Sequence, residues 1–188
     1  MKVVILSGSI VGNKTKTAMD RVHKQFEQDH PEADITMIDL AQYDLQFSDG
    51  RNYFEYEGDT HYVASKLMEA DAIVIGTPIF QASIPATLKN TFDLLPVDAL
   101  RDKVTSIVVT AGSAKHYLIA EQQLKPILAY MKASIVPTYV FIEEADFLNN
   151  EIINDDVHFR IERLVEDTIY QVEANRFIQA KRDEKYDF

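Results

Sequence analysis

Apolar runs and helical stripes alternate along this chain from its first residues. Residues 2 to 7 contain Val3-Val4-Ile5-Leu6, a run of strand length that is apolar on both faces, as a buried parallel strand requires. Ala18, Met19, Val22 and Phe26 then recur at helical spacing. Ile35 to Leu40 predicts a second strand, Tyr62 to Ala70 a helix, and Ala72-Ile73-Val74-Ile75-Gly76 a third strand. A helix from Pro85, a strand over Val104 to Thr110, a helix near Lys115 to Lys132 and a strand over Ile135 to Ile142 follow, and a long helix from about Asp156 closes the series. Five strands separated by helices imply right-handed crossovers and a doubly wound parallel sheet.

Composition narrows the class. At 188 residues, 46% hydrophobic and 26% charged, the chain fits one well-buried domain over 1–188, with no internal repeat or low-complexity linker. No apolar stretch approaches the length of a membrane span, and the sequence starts on strand residues instead of a basic and hydrophobic leader, so we expect a soluble, cytoplasmic protein with no membrane partner. With no cysteine, disulfides, thiolate metal sites and cysteine nucleophiles are excluded, and any redox chemistry needs a bound cofactor. Nineteen basic against 30 acidic residues, a net charge of −11, argue against a nucleic-acid partner. His23, His30, His61, His116 and His158 show no metal-ligand spacing, so no metal site is expected.

Candidate chemistry gathers after strands one, three and four. Ser7-Gly8-Ser9-Ile10-Val11-Gly12-Asn13-Lys14-Thr15-Lys16-Thr17 joins the first strand to the first helix and offers backbone N–H groups, hydroxyls and a helix N-terminus to one point, as a phosphate monoester needs. Asn13 stands where a Walker loop has its second glycine, and Gly8 and Gly12 do not complete G-x-G-x-x-G. A loop rich in hydroxyls, with Lys14 and Lys16 as its only cations, suits the way flavodoxin-like folds hold the phosphate of FMN, with strand order 2-1-3-4-5 and the ligand outside the carboxyl ends of strands 1, 3 and 4. The same residues also fit a plain strand-to-helix turn capped by Thr15 or Thr17.

After the third strand, Pro78 stiffens the exit and Pro85 can sit in the first turn of the next helix. The backbone of Ile79 to Ala82 between them is then fixed, either to offer an N–H and a C=O to a flat heteroaromatic edge bordered by Phe80, or for stability alone. After the fourth strand, the small residues Ala111-Gly112-Ser113-Ala114 allow close approach to a ring, and Ser113 can donate to a carbonyl. Lys115 and His116 at the following helix start call for an anion or a neighbour to compensate them.

These residues together are recognisable. The run Gly76-Thr77-Pro78-Ile79-Phe80-Gln81-Ala82-Ser83-Ile84-Pro85-Ala86-Thr87-Leu88-Lys89-Asn90-Thr91-Phe92-Asp93 resembles the S-P-x-Y-x-x-S-x-P-G-x-L-K-N-x-x-D block of the NADPH-dependent FMN reductase family, which includes flavin reductases, azoreductases and chromate or quinone reductases. Ser7-Gly8-Ser9, Asp44-Leu45-Gln46-Phe47-Ser48-Asp49 and Leu124-Lys125-Pro126-Ile127-Leu128 add to the likeness, which extends over about residues 2 to 142. The resemblance implies a flavodoxin-like three-layer domain that binds FMN, accepts hydride from NADPH or NADH and passes electrons to free flavin or another small acceptor such as a quinone or azo compound. It implies that Ser7, Ser9, Lys14, Thr15 and Thr17 surround the FMN phosphate, that Pro78, Ile79, Phe80 and Gln81 follow the isoalloxazine edge, and that Gly112 and Ser113 meet its pyrimidine end. No side chain need act as acid or base; alignment of the two rings is the enzyme's task.

The chain departs from the family in places. Val11 replaces a common arginine, the first loop is about one residue longer, and Phe80 and Ala86 replace the usual Tyr and Gly. Set against the resemblance, the chain lacks the extra residue that sulfonate-type reductases carry in the helix before their L-K-P element, which favours an enzyme that retains its FMN. Lys115 or Arg51 is placed to meet the extra phosphate of NADPH. In the last helix Val157, Ile161, Leu164, Val165, Thr168 and Val172 form an inward stripe, while Phe159, Tyr170 and Phe177 lie opposite and point to a homodimer or homotetramer, which the family also implies. The alternative function is a flavodoxin-like electron carrier without a nicotinamide site; against it, residues 111 to 115 hold no Trp or Tyr to cover the flavin. A receiver domain would need an acidic pair after the first strand, where Ser7-Gly8-Ser9 stands.

Overall fold

In the computed structural model, which describes residues 1–186, the run Val3 to Leu6 becomes the middle of β1 (Lys2–Ser7) and buries its side chains on alternate sides. Val4 and Leu6 enter one core and Val3 and Ile5 the other, so a single strand contributes to both layers of packing. β1 pairs in parallel with β2 (Asp34–Asp39) and with β3 (Ala72–Pro78), and β3 pairs in parallel with β4 (Val104–Ala111). β4 in turn pairs with β5 (Ser134–Ile135) and β6 (Val140–Glu143), giving the expected order β2-β1-β3-β4-β5. Helices cover both faces, as a parallel sheet apolar on both sides must have. On one face lie α1 (Lys14–Asp29) and the long α5 (Asp155–Tyr186), and on the other α2 (Gly58–Glu69), α3 (Ala86–Asp93) and α4 (Lys125–Tyr130). The flavodoxin-like three-layer fold is therefore present.

Every residue of the two predicted helical stripes is buried, from Ala18 to Phe26 in α1 and from Val157 to Val172 in α5. One glycine sets the spacing between α1 and the sheet, and a second lets the loop after β1 close on β3. A Cβ on Gly76 of β3 would lie 2.4 Å from the Met19 sulfur, and one on Gly8 would lie 2.8 Å from the Gly76 carbonyl oxygen, which already accepts the Gly8 N–H at 2.8 Å.

Some boundaries differ from the sequence expectation. α1 starts at Lys14 with Asn13 as its N-cap, so neither Thr15 nor Thr17 caps it, and the Asn13 side chain makes no capping bond. Pro85 is the N-cap of α3 rather than a residue of its first turn, because its extended backbone, with ψ of 146°, lies outside the helix. The strand expected over Ile135 to Ile142 is split: between the pairs Thr105↔Ile135 and Val108↔Val140 the outer chain spends residues 136–139 against residues 106–107. Pro137 has no N–H for the ladder, and the surplus residues bulge out there.

The helix expected over Lys115 to Lys132 is also broken. A 3-10 turn at Ala114–His116 is followed by a π-helix at Ala120–Leu124, and only then by α4. Pro126 cannot donate to the carbonyl four residues back, and the backbone relaxes by widening, so that the Lys125 N–H bonds the Ala120 carbonyl. The helix expected as one element over Lys115 to Lys132 is thus interrupted by a π-turn immediately before Lys125-Pro126.

Candidate functional site

Because the strands run parallel, the ends of β1, β3 and β4 open on the same edge of the sheet, and their following loops enclose a cleft of about 430 Å³. Val11 to Thr15 form one wall, Pro78 to Phe80 the second and Thr110 to Gly112 the third. The fourth side comes from Glu144, Phe147 and Asn150, which the sequence reading did not include. Glu144 opens a 3-10 turn at Glu144–Asp146, and Phe147 and Asn150 belong to the hairpin that follows, of β7 (Phe147–Leu148) and β8 (Glu151–Ile152), whose turn residues Asn149 and Asn150 have φ of 49° and 64°. Two short runs separated by Asn-Asn are a hairpin signal that was available in the sequence.

Of the expected site residues, Lys14, Thr15, Pro78, Ile79, Phe80 and Gly112 line this cleft. Ser9, Gln81 and Ser113 lie in the same loops, Ser7 at the end of β1 and Thr17 in the first turn of α1, and none of the five lines the cleft. Ser7 closes β1 with its side chain buried, and among the described residues its Oγ has no hydrogen-bond partner. The Ser9 hydroxyl donates to the Val11 carbonyl at 2.7 Å and accepts the Val11 N–H at 3.3 Å, folding the loop on itself. Thr15 Oγ1 lies 2.7 Å from Thr110 Oγ1 and ties the first turn of α1 to β4. Thr17 is the residue whose N–H reaches back to the Asn13 carbonyl, and Ser113 precedes the 3-10 turn as its N-cap. Gly112 faces open space, so the chain there can lie close against a flat ligand.

The charges of the cleft are already engaged. Lys14 is paired with Glu144 across the cleft and lies 5.8 Å from the centre of the Phe147 ring, whereas Lys16 turns to Asp20 at 2.6 Å along α1. Lys14 is therefore the loop cation that reaches the cleft. Arg51 grips Asp49 in a bidentate pair and lies over the Tyr56 ring, and that guanidinium, helped by the Tyr56 hydroxyl, holds the Asp49 carboxyl well below the usual carboxylate range. Lys115 is exposed in the 3-10 turn beyond Gly112.

Asn90 of the central block has a structural task. Its side-chain oxygen accepts the Ser48 N–H and its amide donates to the Gln46 carbonyl, each at 2.9 Å, fastening segment 44–49 to α3. Near the π-helix, the Tyr139 hydroxyl donates to the Tyr117 carbonyl at 2.6 Å; burial, with Tyr117 beside it, pushes that phenol's pKa up, so it stays a donor.

The model of the NADPH-dependent FMN reductase family matches residues 1–146. An NAD(P)H-dependent FAD/FMN reductase of Geobacillus thermodenitrificans is 39% identical over 171 residues, covering 90% of this chain and 92% of the relative. An oxidoreductase of Corynebacterium diphtheriae superposes with a TM-score of 0.75 at 25% identity, covering 92% of this chain and 97% of the other. A flavodoxin of Streptococcus pneumoniae shares the fold alone, with a TM-score of 0.61 at 14% identity over 90% of this chain and 97% of the other.

Proposed function

The chain belongs to the NADPH-dependent FMN reductase family, and from that premise we propose that it binds FMN in the cleft above β1, β3 and β4 and uses NADPH or NADH to reduce it, passing the electrons to free flavin or another small acceptor. The observation that carries this reading is the meeting, in one cleft, of a hydroxyl-rich loop with a lysine, a proline-stiffened edge and a side-chain-free glycine wall. These residues fit FMN. Its phosphate suits Lys14 and the N–H groups at the start of α1, and the buried, unpartnered Ser7 hydroxyl adds a donor behind the loop. Its flat ring suits Pro78, Ile79 and Phe80, with Gln81, Ser113 and Ser9 in the loops that shape the outline and Thr17 in the first turn of α1.

FMN, when bound, supplies the hydride acceptance and the onward electron transfer. This chain's own residues bind and orient: Lys14 neutralises charge, Thr15 and Thr110 brace the loop against β4, and Gly112 leaves one side open for a second ring. Lys115, rather than the Asp49-bound Arg51, is the cation placed to meet the extra phosphate of NADPH.

We further propose that the chain acts as one domain over its length and as a homodimer or homotetramer in the cytoplasm. The support is one continuous sheet with a core on each face, no described helix long and apolar enough to cross a membrane, and exposed Phe159, Tyr170 and Phe177 on α5.

A direct test is the visible spectrum of purified protein reconstituted with FMN, followed by anaerobic addition of NADPH and NADH. Flavin absorbance that bleaches on nucleotide addition is expected. Bound flavin indifferent to both nucleotides would make the chain an electron carrier, and no FMN binding in titration would refute the assignment.

A further inference from the structure

The loop that borders the cleft at Phe80 is held in an unfavourable shape. Phe80 and Ser83 exchange both backbone hydrogen bonds, each at 2.9 Å, which leaves Gln81 and Ala82 as the two residues of a tight turn. Their φ angles are 49° and 57°, the signs of a type I′ turn, a conformation that normally recruits Asn and Gly. Neither residue is glycine. Each carries a Cβ into the left-handed region, so the turn persists only where its surroundings over-determine it.

The surroundings are supplied from 40 residues away. Ser83 Oγ donates to the side-chain oxygen of Gln123, and the same carboxamide donates from Nε2 to the Ala82 carbonyl at 3.0 Å. One side chain thus grips both the end of the turn and its strained second residue. Gln123 sits in the π-helix Ala120–Leu124, beside the fully buried Leu124, so its backbone is anchored in the core while its amide reaches the loop. Widened turns of this kind re-aim side chains and recur at functional sites.

We propose that Gln123 is a positioning residue for FMN: it clamps the Gln81–Ala82 turn and thereby fixes the Pro78–Phe80 edge against which the flavin ring lies. This rests on the flavin reading above. It adds that the ring's seat is preorganised from outside the cleft, by a residue of the π-helix that touches neither flavin nor nucleotide.

The test compares wild type, Gln123→Ala, Ser83→Ala, Ala82→Gly and the double variant Gln123→Ala with Ala82→Gly. For each, the FMN dissociation constant is titrated by fluorescence, the visible circular dichroism of bound FMN is recorded, and KM and kcat are separated. Gln123→Ala should weaken FMN binding about tenfold, the effect of losing two hydrogen bonds that hold a seat in shape, and should alter the visible dichroism. Ser83→Ala should do the same to a smaller degree, and it carries the test if Gln123→Ala fails to fold. In the double variant, glycine makes the turn comfortable without the clamp, so most of the lost affinity should return. Unchanged affinity and dichroism in both Gln123→Ala and Ser83→Ala overturn the proposal while leaving the flavin reading intact, and so does a double variant no better than Gln123→Ala. Wild-type protein that binds no FMN overturns both.

Discussion

At the scale of single residues, the cleft shows how one charge can be balanced between structure and ligand. Lys14 has Glu144 as its partner, and a dianionic phosphate arriving beside Lys14 meets that carboxylate as a like charge. On the function proposed above, Glu144 lowers the affinity that Lys14 raises. Lys14→Ala should weaken FMN binding and Glu144→Gln should strengthen it, each by about two- to fivefold, the worth of an exposed pair. Fluorescence titration at low salt reads both signs, and equal signs would show that the phosphate lies elsewhere. Asn90 is a different kind of residue. It is buried and satisfies two backbone groups of segment 44–49, so Asn90→Ala leaves an N–H and a C=O without partners. A loss of about 1–3 kcal/mol in denaturant unfolding is expected, with earlier proteolysis within 44–49.

At the scale of elements, closeness between α1 and β3 depends on the missing side chain of Gly76. Gly76→Ala would press a methyl into Met19 and should cost about 1–3 kcal/mol in a thermal or denaturant melt. Shortening the offending side chain in Gly76→Ala with Met19→Ala should restore less than the full loss, since a cavity replaces the clash. Elements with uninterrupted patterns were readable in advance: β1, β3, β4, α1 and α5 fall where apolar runs and stripes placed them. Those interrupted by proline were not. Pro137 and Pro126 each sit inside a continuous apolar or helical pattern, and periodicity records which residues seek burial, not whether the ladder between them can close. The split between β5 and β6 and the π-helix before α4 are the result.

At the scale of the whole molecule, the exposed aromatic face of α5 bears on assembly. Phe159 and Phe177 are 68% and 65% exposed, and the groove edged by Val97 and Tyr130 near α3 and α4 is a second apolar surface. Sedimentation at micromolar concentration should give the mass of a dimer or tetramer of the 21.5 kDa chain. A monomer mass would refute assembly. Phe159→Lys should shift the mass if α5 is the contact, and leave it unchanged if the surface at Val97 and Tyr130 is used.

The sequence by itself determined the class of this protein: the alternation of apolar runs and stripes dictates a parallel sheet covered on both faces, the absence of cysteine confines redox chemistry to a cofactor, and the block from Gly76 to Asp93 identifies the family. Those properties are local, repeated along the chain and set by burial. Only the tertiary structure decided which residues meet. It placed Glu144 against Lys14, brought Phe147 and Asn150 to the fourth side of the cleft, gave Asn90 to a distant segment and set Gln123 on the strained turn at Gln81 and Ala82. Such pairings join residues 40 to 130 positions apart through crossovers, and side-chain type alone carries no record of the partner that three-dimensional packing supplies.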